Sequence, residues 1–560
     1  MKEYAGKIWA VVLIVVGLIL VNVLAEKWNA KWDFTDDRRF TLSPTTLDLV
    51  DAISQPVMIT VYLTGDFPAI FTKLEKNTRN ILTQMSRENP NIIVRYDNPS
   101  VGSVEEVNRQ REEFVNNGLV PVRLTIKEES TEKLIFPYAL VQFGMKRVYV
   151  NLLEAERAGI PNDQTIARST AMLEYKLTSS LMRLFQERKK NVVFTAGQGE
   201  LNPAETTDWE RSLHSYFNTS RVDLDSIVAI PARIDVLVIA KPTSPFSEQD
   251  KFKIDQYLMR GGRLMFLLDK MNVSEDSLRL NGRYVSTNYD LNLDDLLFKY
   301  GLRIQSNLIL SLENTRRPMV VGQMGGNNQY ELFPWYYYLA AIPAEDFPVT
   351  NGLDRIQLKY ASVIEPLESP TRKTPLLSAG TYARYQFNPV DISLDIVRYE
   401  PDVSAFSHSN LAMAYMVEGE FESLYQNRVT AGMSQGLEEL GLSFLDRSEF
   451  TQIMVVSDGD IALNGFDTQR RQPQPLGFDP YENYTFDNKS FLNNAVEYMT
   501  GMGTILPLRA KKMELRLLDQ QRVGENKTWV QAVNTVFPIA VVLLLSVIWR
   551  FFRKRKFTRL

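Results

Sequence analysis

Residues 234–269 read IDVLVIAKPTSPFSEQDKFKIDQYLMRGGRLMFLLD, and this stretch decides the fold. Ile234–Ala240 is an apolar strand. Ser247–Met259 has helical spacing closed by Gly261 and Gly262, and Arg263–Leu268 is a second buried strand that ends at Asp269. Upstream, Val192–Thr195 is a short apolar strand running into Gly197-Gln198-Gly199-Glu200, followed by a helix over Glu205–Tyr216. Downstream come a helix at Asp294–Tyr300 ended by Gly301, a strand at Ile453–Val456 that ends in Ser457-Asp458-Gly459-Asp460, and a helix at Asn488–Met499. Apolar strands alternating with helices imply an α/β fold with a doubly wound parallel sheet.

On the N-terminal side the order changes. Ser43 caps a helix at Pro44–Ile53, with Pro44 in its first position. Val57–Leu63 is a strand, Phe71–Glu88 a helix with Leu74, Ile81, Leu82 and Met85 at helical spacing, and Ile92–Tyr96 a strand. Further strands are expected at Val122–Lys127, Ala139–Phe143 and Lys146–Asn151. This β-α-β order points to a thioredoxin-like module, and Thr170–Gln186 is an amphipathic helix that leads out of it. From Ser311 to Ser404 periodicity loosens and aromatic residues gather, as in Phe333-Pro334-Trp335-Tyr336-Tyr337-Tyr338, so an insertion with β character is expected. Met513–Leu517 alternates apolar and charged residues and reads as strand or helix.

The two ends are oily. Ile8–Ala25 and Trp529–Trp549 carry no charge, and 18 to 21 helical residues span roughly 27–32 Å, the thickness of a hydrocarbon core. Lys2 and Lys7 precede the first run, acids follow it, and Arg550, Arg553, Lys554, Arg555, Lys556 and Arg559 follow the second. The positive-inside bias sets both termini in the cytoplasm and the middle across a bacterial inner membrane, in the periplasm. Val23-Leu24-Ala25 also resembles a signal-peptide cleavage site, the alternative to an uncleaved anchor. The chain has 63 basic and 67 acidic residues. With +1 on the first seven residues and +6 on the last eleven, the middle carries −11, a poor match for nucleic acid.

The chain has no cysteine and two histidines. Disulfides, thiolate catalysis and thiol metal sites are therefore excluded, and a thioredoxin-like module here is structural or binding. No phosphate-binding P-loop, His-Glu-x-x-His or Gly-x-Ser-x-Gly string occurs. Gly197-x-Gly199 follows a strand, as a dinucleotide loop does, but Asn202 and Pro203 stand where the third glycine belongs, and a tight turn explains the glycines as well. Because open α/β sheets bind ligands at the carboxyl edge, Gly197, Gln198, Gly199 and Glu200 are the candidate ligand contacts. Asp458, Asp460 and Asn464 offer oxygen to a hard cation, although strand ends rich in Asp and Gly are common turns. No cofactor and no catalytic residue is expected.

Several strings taken in order resemble a known family: Arg39-Phe-Thr-Leu-Ser-Pro44, Asp235–Pro242, Gln256–Gly262, Glu418-Gly-Glu-Phe-Glu-Ser423 with Asn427-Arg428, Val455–Asp460 and Asn488–Tyr498. The chain is similar to the GldG family of gliding-motility-associated ABC-transporter components, and to the wider group of auxiliary ABC-transporter proteins with an amidotransferase-like domain. That resemblance implies an amidotransferase or flavodoxin-like sheet, stripped of the Cys and His that amidotransferase chemistry needs. It also implies an ABC permease, a cytoplasmic ATPase and envelope motility or secretion components as partners. The expected organisation is an anchor at 1–25, a connector at 26–55, a thiol-free thioredoxin-like module at 56–155 and a connecting helix at 156–190. An amidotransferase-like domain at 191–310 is interrupted by an insertion at 311–404 and completed at 405–505. A juxtamembrane segment at 506–528, a membrane helix at 529–549 and a basic tail at 550–560 follow. Three functions compete: a non-enzymatic transporter subunit that binds a ligand or envelope partner, a mechanical scaffold without small-molecule binding, and a carboxylate-based envelope hydrolase.

Overall fold

A computed structural model describes residues 41–65, 67–117, 119, 121–126, 131–153, 163–186, 188–214, 216–325, 327–469, 471–510 and 527–557. The run Ile8–Ala25, its connector as far as residue 40, and Met513–Leu517 lie outside the described residues. The chain forms two compact units, divided after Lys512.

In the first unit Ser43 caps helix α1 (Pro44–Asp51), its hydroxyl accepting from the Thr46 N–H. Strand β1 (Val57–Val61), helix α2 (Ala69–Glu88) and strand β2 (Ile92–Tyr96) follow, then helix α3 (Val104–Asn116), which opens with a Ser103/Glu106 capping box. Strands β3 (Val122–Ile126), β4 (Thr131–Ile135), β5 (Tyr138–Phe143) and β6 (Lys146–Asn151) lead to helix α4 (Asp163–Leu184). The sheet order is β2-β1-β5-β6, with β1 and β2 parallel and the other pairs antiparallel. The strand expected at Val122–Lys127 does not join this sheet; β3 and β4 pair as a separate ribbon. Alternating Val57, Ile59 and Val61 face Phe71, Leu74 and Leu82 of α2, and Leu173, Leu177 and Leu181 of α4 close the same core.

Helix α4 also receives both ends of the body. Glu174, buried within it, accepts from the Ser43 N–H at 2.7 Å and the Thr46 hydroxyl at 2.8 Å. One position along, the buried Tyr175 donates its hydroxyl to Glu497 and accepts from Arg509 at 2.7 Å, while Arg183 pairs with Glu497 at 2.8 Å. Tyr175 shares an apolar cluster with Met502, Ile505, Leu506 and Leu508. The first described turn of the body and the last are therefore held by one helix.

Strands β7 (Asn191–Ala196), β8 (Asn218–Asp223), β9 (Val236–Ala240) and β10 (Arg263–Leu267) build a larger sheet, with helices α5 (Thr207–His214) and α6 (Glu248–Met259) between them. After a short helical turn at Glu275–Asn281 comes helix α7 (Asp294–Lys299). Then follow β11 (Asn314–Met324), β12 (Asn327–Pro343), β13 (Arg372–Ser378), β14 (Ala412–Gly419), β15 (Thr451–Val456) and helix α8 (Asn488–Glu497). The ten-stranded sheet runs β11-β12-β13-β14-β15-β10-β9-β7-β8, with Ile356–Lys359 paired to β12. From β15 to β8 neighbours are parallel; from β15 to β11 they are antiparallel. Trp209 and Leu213 of α5 bury into one face, and Ile254, Tyr257 and Leu258 of α6 into the other, so the parallel part is covered on both sides. The β-rich stretch after Ser311 adds its long strands to this same sheet.

In the second unit, helix α9 (Lys527–Phe557) contains Gln531–Arg553, long and apolar enough to cross a membrane.

Candidate functional site

From β7 the chain moves outward to β8 and returns on the other side of β7 to make β9. The carboxyl ends of β7 and β9 thus flank a topological switch point, where open α/β sheets bind ligands. The β7 end is Gly197–Glu200 and the β9 end is Lys241–Ser244, and the two loops interlock. The Gln198 carbonyl accepts from the Thr243 and Ser244 N–H groups at 2.9 and 3.0 Å, and the Glu200 carboxylate accepts from the Gln198 N–H at 2.8 Å. Gly199 has φ +76°, and a Cβ there would lie 2.1 Å from the Thr243 hydroxyl, so the sequence supplies glycine where no other residue fits. The dinucleotide pattern goes no further, because α5 begins at Thr207, not beside the glycines. Gln198 is 5 % exposed, and its Oε1 and the Glu200 Oε1 are buried without a hydrogen-bond partner among the described residues. These two oxygens are what the loop offers to a donor.

Beside them stands a charged cluster. Lys241 closes β9 with φ +53°, a strained backbone for a residue with a long side chain. Its ammonium lies 2.5 Å from Asp460 and 3.5 Å from Asp269. Asp269, at the end of β10, accepts from the Gly459 N–H at 2.6 Å. Asp458, at the end of β15, accepts from the Lys359 and Asp460 N–H groups, each at 2.7 Å. A Cβ on Gly459 would lie 2.6 Å from that of Lys241, so the strand ends close on each other. Burial pushes the Asp269 carboxyl up to about 6, against the pull of Lys241. Burial and the neighbouring Asp460 and Asp269 push Asp458 well above the carboxylate range. Burial opposes the charge on Lys241, but Asp269, Asp460 and Asp458 outweigh it and raise its pKa.

The cation reading of Asp458, Asp460 and Asn464 does not survive this geometry. Asn464 turns away, its side chain accepting from the Asp208 N–H at 3.2 Å and donating to the Ala204 carbonyl at 3.3 Å, and the Lys241 ammonium neutralises the aspartates instead. The histidines are likewise apart from the cluster: His214 is hydrogen-bonded to Thr219 at 3.1 Å, and His408 packs on Tyr385 with ring centroids 4.8 Å apart.

The large grooves lie elsewhere. One of about 1060 Å³ is walled by Tyr300, Phe421, Leu424 and Arg428, and another of about 1690 Å³ lies beside the β11–β12 hairpin; neither is lined by Gly197–Glu200 or Lys241. The wall of the first is set by Asp255, a fully buried residue of α6 that the sequence reading passed over. It accepts from the Ser423 hydroxyl at 2.6 Å, the Leu424 N–H at 2.9 Å and the Tyr300 hydroxyl at 3.0 Å. Glu418, also buried, accepts from Arg372, from Gln452 at 3.0 Å and from the Tyr498 hydroxyl at 2.9 Å. The Glu418–Ser423 string is thus a hub of buried hydrogen bonds.

Residues 189–495 match the family described as an ABC-type uncharacterized transport system, and residues 36–142 match a domain of unknown function, DUF7088. An uncharacterized protein of Borreliella burgdorferi is 20 % identical over 425 residues, covering 74 % of this chain and 78 % of its own length. Among solved structures, the mmIFT52 N-terminal domain aligns with 56 % of this chain and 98 % of its own at 12 % identity and a TM-score of 0.31. With more than half of its residues inside the first match, the chain belongs to the ABC-type uncharacterized transport system family of auxiliary components.

Proposed function

We propose that the chain is a non-enzymatic, membrane-anchored subunit of an ABC transporter of the gliding-motility-associated GldG type, whose body binds a ligand or envelope partner outside the cytoplasm. Membership of a transport-system family implies permease and ATPase partners in general. The observation that carries the topology is the shared seat of the two ends of the body on α4, through Glu174 at one end and Tyr175 at the other. A body that begins and ends on one helix suits a chain whose two apolar runs lead into the same membrane from the same side. The basic residues beyond Trp549 and the acidic middle support cytoplasmic termini and a periplasmic body. The order β2-β1-β5-β6 supports a thioredoxin-like reading of the first sheet, and parallel strands clothed on both faces support an amidotransferase-like reading of the second. For ligand binding, the supporting feature is the pair of unpartnered oxygens on Gln198 and Glu200 in the Gly197–Glu200 loop.

Purification of the full chain in mild detergent is expected to bring down a permease and an ATPase, and protease added to intact spheroplasts is expected to cut the body. A lone monomer, or a body protected until the membrane is opened, refutes the proposal. The scaffold reading has its own support, because the Lys241 cluster is satisfied internally and neither large groove opens over Gln198. Thermal-shift screening separates the two, since a ligand at a hundred times its Kd adds about 2.7 kcal/mol.

A further inference from the structure

Helix α9 runs from Lys527 to Phe557 without an acidic residue. Its 31 residues rise about 46 Å, more than a hydrocarbon core of about 30 Å requires. Trp529 and Trp549, both more than half exposed, stand about 30 Å apart along it, the spacing of two aromatic belts. The excess therefore lies mostly beyond Trp549, where Arg550–Phe557 continue as about two further turns of helix. A headgroup layer is about 5–8 Å deep on each side, so the first of these turns, with Arg550, Arg553 and Lys554, stands at the depth of the lipid phosphates. The Arg553 guanidinium lies 5.0 Å from the centre of the Trp549 ring, which keeps its charge at the belt. The exposed rings of Phe551 and Phe552 add apolar surface at the edge of the core. At 3.6 residues per turn the backbone positions of Arg550, Arg553, Lys554, Arg555 and Lys556 fall at about 0°, 300°, 40°, 140° and 240° around the axis, with no gap wider than about 100°.

We propose that this basic collar binds the headgroups of anionic phospholipids, whose phosphates meet it from every side. The inference rests on the reading of α9 as a membrane anchor and adds the lipid it selects. A helix that docks on a protein turns one side to its partner, so a protein would be met by a stripe of charge; a collar suits a partner that surrounds it. The positive-inside bias is met by basic residues in any arrangement near the span, whereas headgroup depth and all-round spacing are what phosphates require. Each Lys or Arg close to an anionic leaflet contributes about a fivefold gain in affinity.

The test uses the full chain in mild detergent, titrated with phosphatidylglycerol or phosphatidylcholine and read by native mass spectrometry. Wild type is expected to bind phosphatidylglycerol more tightly by about fivefold or more, and to lose the difference at high salt. Arg550→Gln, Arg553→Gln, Lys554→Gln and Arg555→Gln together are expected to abolish the preference. Arg553→Gln alone, which keeps the other basic residues for insertion, is expected to lower it by up to about fivefold. Arg279→Gln with Arg398→Gln, exposed on the body, is expected to leave it unchanged. Equal binding of the two lipids by wild type, or a preference that survives the four-site variant, overturns the inference and leaves the anchor reading intact. Displacement of phosphatidylglycerol by inorganic pyrophosphate also overturns it, because the collar would then be a site for soluble phosphate. Recovery of wild type in the soluble fraction of cells overturns the anchor reading itself.

Discussion

Replacement of Asp255 by alanine tests whether the wall of the groove is held by one buried carboxylate. Its oxygens accept from Ser423, Leu424 and Tyr300, and from the Gln256 amide at 3.1 Å. Alanine takes the acceptor from the buried Ser423 and Tyr300 hydroxyls and from the half-buried Leu424 N–H. Each orphaned donor costs about 1–3 kcal/mol, and with relaxation the loss is about 3–5 kcal/mol. Asparagine keeps an oxygen for Leu424 and Tyr300, and Ser423 can rotate to accept, but its NH2 faces the Gln256 amide, so Asp255→Asn costs about 1–2 kcal/mol. Burial outweighs the hydrogen bonds and raises the Asp255 carboxyl above its ordinary value. A carboxyl raised on folding favours the native state at low pH, and this contribution is lost as pH rises through the folded value. Asp255→Asn is therefore expected to lose less stability than wild type on going from acid to neutral pH. Urea unfolding of the full chain in detergent, followed by tryptophan fluorescence, measures both effects. An alanine variant within 1 kcal/mol of wild type, or asparagine as damaging as alanine, refutes the reasoning.

The Asp269 carboxyl, raised from 3.8 to about 6, makes the native chain bind a proton that the unfolded chain releases in that window. Stability from this group falls as pH rises toward 6 and is flat above, so between pH 5 and 7 wild type should lose about 1–2 kcal/mol more than Asp269→Asn, read from denaturant midpoints. Glu174→Ala takes the acceptor from Ser43 and Thr46 and is expected to cost about 2 kcal/mol and to speed hydrogen exchange over α1. Gly261 has φ +82° with open space at its Cβ, whereas a Cβ on Gly262 would lie 2.4 Å from the Tyr257 ring. Gly261→Ala should therefore cost about 1 kcal/mol of strain and Gly262→Ala about 2–3 kcal/mol of overpacking, measured by thermal unfolding.

The strands flanking Gly197, Lys241 and Asp269 are legible because parallel strands buried on both faces must be apolar throughout, and that pattern needs no partner to be seen. Helix α6 is harder. Its sequence EQDKFKIDQYLM looks half-solvated, yet Asp250, Lys251, Asp255 and Gln256 are all buried. Each is answered from elsewhere in the fold or along the helix: Lys251 by Asp295 and Glu248 at 2.8 and 2.9 Å, Asp250 by Lys253 at 2.9 Å, and Asp255 by Ser423 and Leu424. The i,i+3 pairs look like those of a solvated face, and the distant partners Asp295, Ser423 and Leu424, which mark the burial, leave no local period to read. The same distance hides Glu174 and Glu497. The aromatic stretch through Tyr338 signals strands but not their company: it pairs with β11 and Ile356–Lys359, while only Ile342 and Pro343 beyond it join β12 to β13 and so to the large sheet. For the candidate site, the loop Gly197–Glu200 is legible from position alone; Lys241 is not, since nothing in Ala240-Lys241-Pro242 signals that a lysine takes a left-handed backbone.

That lysine bears on the choice between ligand and scaffold. Its strained backbone costs on the order of 1–2 kcal/mol, which a fold retains where the side chain is needed at that spot. The need is visible: Asp269 and the buried Asp458 converge with the part-buried Asp460, and the ammonium is their counter-ion. An ammonium already held at 2.5 Å by one aspartate and 3.5 Å by another has little field left for an anionic ligand. If Lys241 is structural, Lys241→Met leaves three facing carboxylates and destabilises the body by about 3–5 kcal/mol, the loss for one partner of a buried ion pair. Part of that loss should return in Asp460→Asn added to Lys241→Met, because the second change removes the charge the first uncovered. If instead Lys241 serves a ligand, the single variant unfolds near the wild-type midpoint and the double variant gains nothing. Urea titration of the four chains decides it, and a neutral Lys241→Met would move the balance from scaffold to ligand.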